Sequence, residues 1–126
     1  MTPFGEKMRE LRKRRGVTQS QMAEALGVSS AYLSALEHGR RSRPSWYLVQ
    51  RIIVYFDLIW DDAEDLVRLA NRSHPRVTID TSGLVPEATE FANLLADRIG
   101  DLDADKLRHL IRQIGPHSAG KPVGRL

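Results

Sequence analysis

The sequence predicts an all-α protein. Apolar side chains recur at helical spacing in segment after segment, capping residues and glycines punctuate those segments, and one short alternating stretch has no second strand to pair with. At 126 residues the chain suffices for one compact domain, or for a small domain with an appendage.

The first helix is expected from about Pro3 to Arg14, with Phe4, Met8 and Leu11 on one face and Gly16 ending it. Thr18 caps a second helix, and Gln21 three residues on completes a capping box. Met22, Ala23 and Leu26 form its apolar face, and Gly27 stands where the chain must turn through the left-handed region. Ser29 caps a third helix whose Leu33 and Leu36 face back while Ser30, Ala31, Ser34 and Ala35 lie outward; Gly39 closes it. This pairing reads as a helix–turn–helix, the unit that places a helix in the DNA major groove.

Arg43-Pro44-Ser45 marks a break, with the proline suited to the first turn of a new helix. Trp46, Leu48, Val49, Ile52, Ile53 and Phe56 make the fourth helix apolar, with Tyr47 and Tyr55 at its edge. After a short connection from Asp57 to Trp60, Asp61 is expected to cap a fifth helix to about Arg72, packed through Leu66, Leu69 and Ala70. These five helices form the expected domain, residues 1–73. Residues 74–85 follow as a linker in which Arg76 to Asp80 alternates like a short strand. Pro86 opens a helix to about Ile99, striped by Ala88, Phe91, Ala92, Leu95 and Ile99. Asp101 to Asp103 precede a last helix with Leu107, Leu110, Ile111 and Ile114 on one face, completing a helical pair over 86–114. A tail over 115–126, rich in Gly and Pro, is expected to be disordered.

Charge divides unevenly along the chain. Met1 to Arg51 holds ten Lys/Arg against four Asp/Glu, a net of +6, whereas Ile52 to Leu126 holds nine against twelve, a net of −3. The excess brackets the helix–turn–helix: Lys7, Arg9, Arg12, Lys13, Arg14 and Arg15 before it, Arg40, Arg41 and Arg43 after it. A basic rim beside a groove-reading helix suits phosphate contacts.

Other chemistries find no constellation. There is no cysteine, which removes disulfides and thiolate metal sites and suits a reducing compartment. His38, His74, His109 and His117 lack the paired spacing of zinc ligands, and Asp61, Asp62, Glu64 and Asp65 lack the glycine and further oxygens of a calcium loop. No phosphate loop or nucleophile elbow is present, so no enzyme, cofactor or metal is expected. No stretch approaches the roughly 18 apolar residues of a membrane span, and no signal-peptide segment opens the chain. A cytoplasmic, nucleoid-associated protein is expected.

Thr18-Gln19, Ala23, Gly27-Val28-Ser29, Leu33-Ser34, Leu36-Glu37, Gly39 and Arg40, followed by Pro44, form a long pattern with fixed spacing. Over Met1 to about Arg72 the chain resembles the Cro/lambda-repressor-like helix–turn–helix domain of the XRE family of bacterial and phage regulators. The resemblance implies a five-helix lambda-repressor-like domain whose third helix enters the major groove while the second crosses the backbone. It implies a phosphate contact for Gln19 at the head of the second helix, and base-facing positions for Ser30, Ala31, Ser34 and Ala35. Many relatives place Gln, Asn, Arg or Lys at some of those positions. Serine bonds almost any base and alanine only touches a thymine methyl, so shape and deformability are expected to carry more of the selectivity.

Ser29, Tyr32, His38, Arg40, Arg41 and Arg43 are candidates for the DNA backbone, Tyr32 equally for covering the corner between the two helices. Arg43, held extended by Pro44, is a candidate for a minor groove. The resemblance further pairs Glu37 with Arg12, a structural ion pair fixing the first helix against the third.

The two C-terminal stripes need cover. Dimerisation through Phe91, Leu95, Ile99, Leu107, Leu110, Ile111 and Ile114 is favoured over packing within one monomer. The sequence-based reading is a double-stranded-DNA-binding transcriptional regulator, a homodimeric repressor on a pseudo-palindromic operator. The alternatives are the antitoxin of a toxin–antitoxin pair and an interaction module that keeps the fold without binding DNA. A toxin or a polymerase subunit stand as further partners.

Overall fold

In the computed structural model the described residues are Met1–Gly115; the expected disordered tail lies outside them apart from Gly115. The chain divides into two compact units, Met1–Val77 and a second from Thr78 onward. The described residues hold seven α-helices, one short 3₁₀ turn and no strand, so the stretch from Arg76 to Asp80 is extended linker.

Five helices build the first unit: α1 (Pro3–Arg15), α2 (Gln19–Leu26), α3 (Ser30–Glu37), α4 (Trp46–Tyr55) and α5 (Trp60–Asn71). Their starts follow local hydrogen bonding. The hydroxyls of Thr2, Thr18, Ser29 and Ser45 accept from the N–H groups of Gly5, Gln21, Tyr32 and Leu48, each satisfying one orphan donor of a first turn. The Gln21 side chain returns the bond to the Thr18 N–H at 2.8 Å, so the expected capping box forms. Gly27 sits at φ 74°, and its N–H bonds the carbonyls of Ala23 and Glu24. That conformation turns the chain from α2 into α3 without a Cβ penalty.

The core joins Phe4, Met8 and Leu11 of α1 to Met22, Ala23 and Leu26 of α2, Leu33 and Leu36 of α3, Leu48, Val49 and Ile52 of α4, and Leu66 and Ala70 of α5. Helix α3 packs on α1 and α2, and α5 closes the bundle against α1 and α4. The helical periodicity thus chose the buried faces correctly, with three differences. Trp46 is 70% exposed instead of inward, because α4 begins with it and its side chain lies outside the stripe of Leu48, Val49 and Ile52. Pro44 is buried but precedes the Ser45 cap instead of entering the first turn. Helix α5 starts at Trp60 with Ile59 at its cap position and no side-chain cap; Asp61 and Asp62 lie within its first turn, favourable to the helix dipole. The connection before it passes through the left-handed region at Asp57 (φ 54°) and again at Trp60 (φ 50°).

Two tertiary features close the unit. The Ser73 hydroxyl accepts from the Phe4 N–H at 3.0 Å and donates to the Leu69 carbonyl at 2.6 Å, stitching the end of α5 to the head of α1. Gly5 packs flat on α3: a Cβ there would lie 2.2 Å from the Glu37 carbonyl oxygen and 2.9 Å from its carbonyl carbon.

The second unit contains α6 (Pro86–Arg98), a 3₁₀ turn (Ile99–Asp101) and α7 (Ala104–Ile114), and none of their residues is buried. Pro86 opens α6 at its first turn and Asp103 caps α7 through the Lys106 N–H. Ahead of α6, Asp80 accepts from the Ser82 hydroxyl and N–H, which holds its carboxyl below the usual carboxylate range.

Gly5→Ala is expected to lower the urea midpoint by the equivalent of about 2–3 kcal/mol, because the obstructing atoms are backbone and cannot rotate away. A midpoint equal to that of the parent protein would show that α1 and α3 can separate without loss.

Candidate nucleic-acid interface

Glu37 organises this surface from beneath. It is buried at the end of α3, and its carboxylate accepts from Arg12 Nη1 at 2.5 Å and Nη2 at 3.0 Å, a bidentate pair between α1 and α3. The Gln19 side-chain amide donates to the same carboxylate at 3.3 Å, so the head of α2 joins the network. The Glu37 backbone carbonyl accepts from the Thr2 N–H and hydroxyl. The expected ion pair is therefore present, and it holds three helices.

Above this base, α3 presents its outward face. Ala31 is exposed, while Ser30, Ser34 and Ala35 are half-buried. The Ser30 hydroxyl donates to the Ser20 hydroxyl of α2 at 3.3 Å, a link across the turn that periodicity does not reveal. Nothing on this face can make a bidentate bond to a base edge. The face is small, smooth and weakly polar.

The flanking residues divide into free and occupied. Arg40 and Arg41 are exposed in the segment after α3, and the Arg41 guanidinium lies 5.2 Å from the Tyr32 ring centroid, a cation–π stack that orients both. Tyr32 thus packs partly buried against the core and carries an arginine. His38 caps the end of α3, with its ring Nδ1 donating to the Ser34 carbonyl at 2.9 Å, so the ring is turned back on its own helix. Arg43 does not extend from the surface: its guanidinium donates to the Asn71 side chain at 2.8 Å, anchoring the segment before Pro44 to the end of α5.

Several basic residues ahead of the motif are likewise engaged in the fold. Arg12 is buried, and Arg14 pairs with Glu10 one helical turn away. Arg15 donates to the Tyr55 carbonyl, bonds Asp57 at 3.1 Å and lies over the Tyr55 and Phe56 rings, capping the end of α4. The partners of Arg12 and Arg15 are distant in sequence, so local spacing does not reveal them.

Among the described residues no group of His, Cys, Asp or Glu could hold a metal ion, and no helix is long and apolar enough to cross a membrane.

A capped helix pair turning at a left-handed glycine, fixed to α1 by a buried pair, is the arrangement a family match has to meet. The model of the helix-turn-helix domain family matches residues 3–67, from the head of α1 into α5. The chain belongs to that family. Helix-turn-helix relatives include RghRB of Bacillus subtilis (strain 168), named an uncharacterized HTH-type transcriptional regulator, 40% identical over 52 residues that cover 41% of this chain and 37% of the relative. The HTH-type transcriptional regulator SinR of the same organism is 30% identical over 55 residues, 44% of this chain and 50% of SinR. RghR, an HTH-type transcriptional repressor also of Bacillus subtilis, is 38% identical over 52 residues, 41% of this chain and 38% of RghR. The chain spans between about a third and a half of the length of these curated relatives.

Glu37→Ala is expected to strand the buried Arg12 cation and to cost about 3–5 kcal/mol in urea unfolding. The double replacement Arg12→Met with Glu37→Leu is expected to recover most of that loss; equal instability of the two proteins would show that the carboxylate acts through Gln19 or the backbone and not through the pair.

Proposed function

We propose that this protein is a sequence-selective, double-stranded-DNA-binding transcriptional regulator, acting in the cytoplasm as a homodimeric repressor. The observation that carries this reading is the rigid presentation of α3: both its ends are held, its inward face is buried, and its outward face is lined by small side chains beside Arg40 and Arg41. A helix so presented fits the major groove, with Ser30, Ala31, Ser34 and Ala35 toward base edges. Small side chains let the helix seat deeply, and selectivity then rests more on groove shape and deformability than on bidentate readout. Arg40, Arg41 and Tyr32 hold the flanking backbone, and Gln19 does so from the head of α2. The relatives' names as transcriptional regulators, one of them a repressor, support the same reading.

The second unit supports the homodimer. Helices of 13 and 11 residues without a buried side chain are marginal as isolated structures in water. Phe91, Ile99, Ile111 and Ile114 are each about half exposed or more, with Leu95, Leu107 and Leu110 half-buried beside them. A second copy covering these stripes would bring two recognition helices to half-sites one turn apart, roughly 34 Å. Occupancy of such an operator would exclude polymerase from an overlapping promoter.

Selection from random duplex DNA at near-physiological salt is expected to enrich a pseudo-palindrome. Ala31→Glu and Arg41→Glu, each at an exposed position, are expected to lower affinity for it on the order of tenfold or more with the fold intact. Full affinity in both variants would remove α3 from the interface. Phe91→Glu and Ile111→Glu are expected to give monomers in sedimentation; persistent dimers would move the interface elsewhere.

A further inference from the structure

Arg51 is the only charged residue of α4, set in a helix otherwise apolar and aromatic except for Gln50. Sequence position places it well past the helix–turn–helix. Folding brings it back: its Nη2 and Nη1 lie 3.5 and 3.6 Å from where a Gly27 Cβ would stand, so the guanidinium rests on the bare turn between α2 and α3. Arg51 is exposed and has no ion-pair or hydrogen-bond partner among the described residues, unlike Arg12, Arg15 and Arg43. A cation beside the turn without a carboxylate partner among the described residues is available to an external anion.

The surroundings say which anion. Arg51 lines an open cleft of about 370 Å³ between the first turns of α3 and α4, together with Ser29, Tyr32, Ser45 and Tyr47. No acidic side chain lines it. Tyr32 carries the stacked Arg41 on its ring, so a second cation adjoins the cleft. Tyr47 is 72% exposed and braced edge-on by Trp46 at 6.4 Å, a phenol presented to solvent that core packing does not explain. A tyrosine so placed offers a hydroxyl to a phosphate and its ring to a sugar.

We propose that Arg51 and Tyr47 form a phosphodiester subsite, so that one DNA strand is gripped from α4 as well as from α3 and the segment after it. The inference rests on the DNA-binding reading and extends the interface to a helix that the motif does not include. The cleft opens at the Ser29 cap on the side of α4, so a cation there flanks the first turn of α3 instead of lying on its outward face. Because the contact is to phosphate, it would strengthen binding uniformly across sequences.

The test is the salt dependence of the full-length protein on mixed-sequence duplex DNA, where phosphate contacts dominate. Arg51→Gln is expected to reduce the slope of log affinity against log salt by about one unit, and Arg51→Lys to retain the parent slope. Tyr47→Phe is expected to weaken binding a few-fold at unchanged slope. Thermal unfolding of Arg51→Gln should match the parent, since the side chain has no partner to lose. A parent-like slope for Arg51→Gln, with Arg41→Ala reduced in the same assay, would overturn the subsite and assign the cleft to a different occupant. Failure of the parent protein to bind any duplex would overturn the DNA reading and this inference with it.

Discussion

The placement of α3 depends on the buried Arg12–Glu37 pair. Its carboxylate receives two bonds from α1 and one from Gln19 at the head of α2, while its own backbone carbonyl receives the N-terminal segment. Two charges out of water are costly, and only near-complete hydrogen bonding repays that cost. The repayment here is geometric: the pair is satisfied only when α1, α2 and α3 meet at one angle, so the angle of α3 is fixed by charge as well as by packing. Gly5 makes the same point sterically, since the α1 backbone comes against the Glu37 backbone at a position without a side chain.

An interface poor in bidentate side chains places its chemistry in the frame around α3. Most of the candidate backbone residues are also engaged within the fold: Gln19 bonds Glu37 and Ser29 caps α3. Arg41 is oriented by Tyr32, whereas His38 is folded onto its own helix and Arg43 is tied to Asn71. The anchored Arg43 fixes the path of the segment that carries Arg40 and Arg41. Rigidity of this kind lowers the ordering cost on binding.

What could be read from sequence was local. Caps and the turn glycine act within four residues, so Thr18, Gln21, Gly27 and Ser29 announced α2 and α3 with their boundaries. Helical periodicity chose the core faces for the same reason. The Arg12–Glu37 pair came from family resemblance, not from spacing. Long-range engagements were illegible: Ser73 on Phe4, Arg15 on the end of α4, Ser20 on Ser30 and Arg51 on Gly27 each join residues that no periodicity relates. Residue type misled at Trp46, where bulk suggested the core and helix phase placed the ring outside. Absence of a local cap likewise displaced the start of α5, whose first residue adopts a left-handed backbone instead.

The Ser73 stitch has a consequence for the nascent chain. Its two ends are 69 residues apart, and the Phe4 N–H it satisfies is buried. A ribosome adds roughly 5–20 residues per second, so the head of α1 waits several seconds for its partner to be made. During that interval α1, α2 and α3 can pair through Arg12 and Glu37, but the apolar side of α1 that α5 will cover stays open. The first unit can therefore mature from α1, α2 and α3 outward, and the bond between Phe4 and Ser73 forms only after α5 has left the exit tunnel.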